Sequence, residues 1–119
     1  MPTLTPMTLV PGVLLAAAAP AHPGVYGVPI GSAAILRALR FVNTDSVVRH
    51  VSLHLVANGA TVGAKNRVLG PFPLGPAGSP TSILVDTAFF VLESGDYLAP
   101  FADVANVVAF RADGAELSP

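Results

Sequence analysis

Apolar and polar residues alternate most regularly over residues 47–56. Val47, Val51, Leu53 and Leu55 fall on one side, with Arg49 the exception, and Val48, His50, Ser52, His54 and Val56 fall on the other. Period-two alternation in a run rich in β-branched residues predicts a strand. The preceding stretch, residues 32–42, reads two ways. Residues 33–40 have good helix propensity. As a strand, the same stretch puts Ile35, Leu39 and Phe41 on one face with Arg37 among them. The two stretches are separated by Asn43, Thr44, Asp45 and Ser46, residue types whose side chains bond their own backbone in turns. A strand entered through a short polar turn favours reading its predecessor as the other half of a hairpin.

Twelve prolines and eleven glycines punctuate the chain, and the longest stretch free of both is residues 32–58. Long helices are therefore not expected outside it. Asn58-Gly59 marks a turn, residues 57–66 read as a loop, and residues 67–69 as a short strand. Residues 70–80 carry four prolines, so they are expected to form neither helix nor central strand, and to be irregular and exposed or wedged into an interface. Residues 81–85 read as a strand with Ser82, Leu84 and Asp86 opposite Ile83 and Val85, and residues 89–92 as a further apolar segment. Glu93-Ser94-Gly95-Asp96 is a turn, residues 97–101 are extended, and residues 106–112 form a last strand before a turn at Asp113-Gly114. About seven to nine short segments with turn signals between them predict an all-β fold. The expected form is an antiparallel β-sandwich, jelly-roll or Ig-like, or a related barrel. Residues 24–119 are expected to form its single domain.

Residues 8–20 are apolar and end in small residues, which loosely mimics a signal peptide. No Lys or Arg precedes them, and Pro2, Pro6 and Pro11 break the helix such a region needs. The run is also too short and too interrupted to span a bilayer. Residues 1–23 are therefore read as an extended arm, packed on a neighbouring subunit, or as a first edge strand.

Composition adds a surface argument. Of the 119 residues, 52% are hydrophobic and 11% charged, against roughly 25% charged in ordinary soluble domains. A lone monomer of this composition shows a large uncharged surface, which marks an interface or promotes aggregation. The net charge of −1 does little to keep copies apart. There is no cysteine, so disulfides and thiolate metal sites are excluded. The basic residues Arg37, Arg40, Arg49, Lys65, Arg67 and Arg111 are scattered, so the electrostatic footprint of a nucleic-acid binder is missing.

Candidate chemistry is sparse. On a strand, His50 and His54 stand roughly 13 Å apart, too far to ligate one ion together. His22 has no evident partner in the proline-rich segment. Asp45, Asp86, Glu93, Asp96, Asp103, Asp113 and Glu116 lie mostly in turns, where Asp is expected for backbone reasons. Glu93 and Asp96 could pair as calcium ligands, but no dense acidic loop supports them. No Gly-x-Ser-x-Gly elbow and no Gly-Lys-Ser/Thr phosphate loop is present. Tyr26, Tyr97 and the six phenylalanines read as core or interface anchors. No catalytic, cofactor-binding or metal residue is expected, and no cofactor.

The order of features nevertheless has a counterpart. Residues 34–44 lead through Asn43-Thr44 into residues 47–56; Asn66-Arg67-Val68-Leu69 follows, then Leu92-Glu93-Ser94-Gly95-Asp96-Tyr97-Leu98, and residues 106–116 close the series. Over roughly residues 24–117 this resembles a group of small tailed-bacteriophage virion proteins. In that group an "NT" hairpin precedes an "NRLL"-like step, a "LEPGD-L" turn and a closing "SG-E" strand. The chain departs from the pattern at Ser94, where proline is usual, and at Ala112-Asp113, where a serine would sit. The resemblance implies a β-sandwich component of the virion, on head, neck or tail. It brings no catalytic residues to carry over and implies contacts with other virion proteins, while an extended arm reaching a neighbouring copy fits a homo-oligomer such as a trimer or ring. The alternative is a receptor- or glycan-binding module at a tail fibre or tip.

Overall fold

Frequent proline and glycine leave runs long enough to extend but too short to coil, and the computed structural model is built from strands. It describes residues 3–87 and 89–118. The strands are β1 (Thr3–Leu14), β2 (Tyr26–Gly27), β3 (Ala33–Asn43), β4 (Arg49–Val56), β5 (Arg67–Leu74), β6 (Ile83–Asp86), β7 (Phe90–Leu92), β8 (Tyr97–Ala102) and β9 (Val108–Ser118). One 3-10 turn, Ala64–Asn66, is the only helical element among the described residues.

All pairings are antiparallel. The larger sheet runs β1-β9-β3-β6, with β7 continuing beside β3 where β6 has left off; the smaller runs β2-β8-β4-β5. With β6 and β7 counted as one interrupted strand, this is the wrapped order of a jelly roll. It is neither the Ig-like order nor a closed barrel, two forms the sequence left open. The stretch at residues 32–42 is strand, because β3 pairs on both flanks and tertiary pairing overrides helix propensity.

The core lies between the two sheets. The larger sheet contributes Val10, Leu36, Leu39, Phe41, Val108, Phe110 and Ala112; Val51, Leu53, Leu74 and Leu98 face them from the smaller. The rings of Phe41 and Phe110 sit 4.9 Å apart at a tilt of 50°, a favourable aromatic arrangement. Two polar clamps pin the sheets at opposite ends. Buried Asn43, ending β3, donates through Nδ2 to the carbonyls of Val47 (2.9 Å), Gly75 (2.9 Å) and Leu74 (3.4 Å). Its Oδ1 accepts from the Asp45 amide at 2.9 Å, closing the turn. At the far end the Tyr26 hydroxyl on β2 donates to Glu116 Oε2 on β9. Burial first, and then the Glu116 carboxylate, hold that phenol well above its usual range.

Three features depart from the sequence reading, and the first segment takes one of the two forms it allowed. Of the two readings of the first segment, the edge strand describes Thr3–Leu14, which lies along β9 of its own chain. The expected loop at residues 70–80 begins only after Leu74, since β5 runs through Pro71 and Pro73. An edge strand tolerates the missing donors. The expected turn at Asp113-Gly114 is continuous strand, β9. Finally, a bulge between Leu36 and Ala38 shifts the β3 register by one residue. Ile35 therefore faces away from Leu39 and Phe41 rather than with them, since a one-residue shift reverses the face. Gly114 lies opposite the bulge, where a Cβ would stand 1.9 Å from the Ile35 carbonyl oxygen; only glycine fits this approach.

Candidate functional site

The residues that invited a chemical reading go to separate places. His54 is 2% exposed. Its ring stacks on Phe101 at 5.8 Å, and its Nδ1 lies 3.3 Å from the Ala99 carbonyl. His50 Nδ1 lies 3.4 Å from Asp103 Oδ2 at the surface, and the His22 ring meets Tyr97 edge-on at 5.2 Å. Asp96 organises its turn, accepting from the amides of Glu93 (2.8 Å) and Asn58 (3.0 Å). Asp45 pairs with Arg49 at 2.7 Å, and that hydrogen bond, followed by one from the Ser46 amide, holds its carboxyl below the usual carboxylate range. Among the described residues, no three His, Asp or Glu side chains come together as a metal-binding group.

What the fold does assemble is a surface. The outward residues of the larger sheet form five rows across the strands, read from the register. The first row is Leu4, Leu117 and Ala33, and the second is Pro6, Ala115, Ile35 and Val91, of which Ala115 is itself buried. Thr8, Asp113 and Ala38 form the third, with the exposed bulge residue Arg37 beside Ala38, and Arg111, Arg40 and Val85 the fourth. The fifth is Leu14, Ala109, Val42 and Ile83. Both ends of this face are thus apolar and its middle is charged. Leu4 (57%), Val91 (61%), Val85 (59%), Leu14 (55%) and Ile83 (52%) are openly exposed. Scattered exposed aliphatics are ordinary, whereas a contiguous apolar patch on one face marks an interaction site.

The charged middle is not self-sufficient. Arg111 reaches Asp113 and the Thr8 hydroxyl, each at 3.3 Å. Arg40 sits directly opposite Arg111 on the next strand, a like-charge cross-strand pair that opposes the sheet. The Arg40 guanidinium makes no hydrogen bond or ion pair among the described residues. A hollow of about 330 Å³ opens here between Ala38, Leu39, Arg40, Val85, Arg111 and Asp113.

Pattern-reading found the exposed Ile83 and Val85 as one face of a strand but had no means of telling that this face looks outward. Burial of Ser82 and partial burial of Leu84 against the core, both on the opposite face, decide it. The two larger losses came from the β3 bulge and the misread β9 turn, which hide Ile35, Ala115 and Leu117 as members of one surface.

The protein is therefore an antiparallel jelly-roll sandwich with one uncovered outer sheet face. Comparison of the chain with protein-family models, with curated proteins and with solved structures returns no match.

Proposed function

We propose that the chain is a non-enzymatic structural subunit of a bacteriophage virion, decorating, cementing or joining parts of the head, neck or tail through protein–protein contacts. The observation that carries the reading is the uncovered outer face of the larger sheet, apolar at both ends in a chain with few charges. The jelly-roll order supports it by analogy, since that architecture recurs in viral capsid and lectin domains. The motif resemblance over residues 24–117 narrows the assembly to a phage particle. Its partners are then further copies of itself and other virion proteins, and its place is the virion.

Quantitative mass spectrometry of purified particles, from a phage that encodes the chain, tests the role. A fixed copy number per particle is expected. Absence from particles while the chain accumulates in infected cells would rule the role out.

A second reading, a receptor- or glycan-binding module, draws on one observation. An apolar hollow of about 500 Å³ lies between β5 and β6, lined by Val48, Phe72, Pro73, Pro80, Thr81 and Ile83 among others. Phe72 is exposed there and offers a ring for stacking. Binding of the isolated chain to host cells or a glycan array, lost in Phe72→Ala, would favour this reading.

A further inference from the structure

We propose that a second copy of this chain covers the outer face of the larger sheet, related by a two-fold axis that crosses the strands above Leu39 and Ala112. The inference rests on the self-assembly reading above and says which surface performs it.

The sheet edges are poor contacts. Pro6 and Pro11 lie in edge strand β1, and Pro71 and Pro73 in edge strand β5. The other edges are the two-residue β2 and the interrupted β6/β7. Proline and short edge strands discourage strand-to-strand addition, which leaves the faces.

The face is laid out for a copy of itself. On β9, Arg111 and Asp113 stand one residue either side of Ala112, and Ala109 and Ala115 stand three residues either side. The axis therefore places Arg111 of each copy on Asp113 of the other, and Ala109 on Ala115. On β3, Val42 lies three positions from Leu39 in one direction. Ile35 lies three ladder positions away in the other, once the bulged residue is discounted. Val42 thus meets Ile35 of the second copy, and Ile83 on β6 meets Val91 on β7. Arg40 meets Ala38, which lies beside the exposed Arg37 and borders the hollow of about 330 Å³. The unpaired guanidinium gains a place, and the carboxylate there is Asp113.

On β9, charge favours this arrangement over its rival. An axis running along the strands would set the Arg40 and Arg111 row on itself, with like charges facing each other. Four strands at about 4.8 Å and four overlapping rows at about 6.7 Å give a face on the order of 500 Å² in projection. Accessible area exceeds projection because side chains stand up from the sheet. The face therefore suits an interface near the lower bound of stable ones, about 600 Å² per partner.

Val91 and Ile83 supply the test, because within one chain they lie roughly 20 Å apart along the face. A charge pair between them can form only between copies. Sedimentation equilibrium is run on the full chain, on Val91→Lys, on Ile83→Glu, on an equimolar mixture of the two, and on the double variant. The wild type is expected to be a dimer. Each single variant should weaken dimerisation about 100-fold, and both the mixture and the double variant should regain it. A wild-type oligomer untouched by either variant would overturn this interface and leave self-assembly standing. Loss without recovery in the mixture would overturn the two-fold pairing. A wild type that stays monomeric would overturn both. Should a charged variant lose its unfolding transition, Arg111→Asp mixed with Asp113→Arg reads the same axis at its centre, with recovery in the mixture as the expected result and its absence as the refutation.

Discussion

The two sheets bear apolar side chains on both of their faces, and the chain treats their outer faces differently. Outside the smaller sheet, Val56, Tyr97 and Ala99 form a second small core, closed by Ala19 and Val62. Ala19 belongs to the segment that carries the chain from β1 to β2. That segment is bonded along β8, where the Ala102 amide donates to the Ala16 carbonyl and the Val25 amide to the Leu98 carbonyl. Pro100 points the same way as Leu98 and Ala102, so its missing amide costs no bond to β4. Outside the larger sheet no described segment plays this part, and Val85, Val91, Leu14 and Ile83 stay in solvent. The same physical demand, removal of apolar area from water, is met within the chain on one side and left open on the other. A covered face contributes to folding stability. An open one contributes only when something binds it.

That contrast predicts where substitutions will matter. Tyr97→Ala, on the covered face, should cost about 3 kcal/mol of stability in denaturant titration, the usual loss for a buried aromatic. A loss below about 1 kcal/mol would mean that the second core is not a true core. Asn43→Ala should cost about 2 kcal/mol, because it strands buried carbonyl groups between the sheets, and it should leave the outer faces alone. Val85→Ser, on the open face, should change the stability of the dilute, dissociated protein by no more than about 0.5 kcal/mol. It should, however, weaken self-association in the same preparation. A large stability loss there would erase the distinction between the faces.

The smallest effect belongs to Asp45, which lies on neither face. Its carboxyl is held below the ordinary 3.8, so its pairing with Arg49 adds stability above that value. The contribution disappears as pH falls through the lowered one. Thermal midpoints followed down from about pH 5 should fall less steeply in Asp45→Asn than in the wild type.

Much of the fold was legible because local rules agreed with one another. The alternation through residues 47–56 gave both the strand β4 and its two faces, and Asn43 to Ser46 and Glu93 to Asp96 are turns as their side chains demand. The prolines at 71 and 73 were rightly read as hostile to a central strand. They did not exclude an edge, because an edge leaves one row of amides unpaired in any case. The apparent polar face of β4 was real as a pattern, yet Ser52 and His54 on it are buried. Nothing local records that other strands and loops will lie over them.

The sequence by itself determined that the chain is all-β, where most strands and turns fall, and that its surface is short of charge. Those are consequences of alternation, of proline and glycine geometry, and of composition, each acting within a few residues. Only the tertiary structure decided which side of each sheet looks inward, that the chain wraps as a jelly roll, and that one outer face is covered while the other is bare. The register across β1, β9, β3 and β6 is what collects Leu14, Ala109, Val42 and Ile83 into one row. A single bulge at Arg37 is what turns Ile35 to the outside. Pairing between strands distant in sequence sets both, and such pairing leaves no local trace.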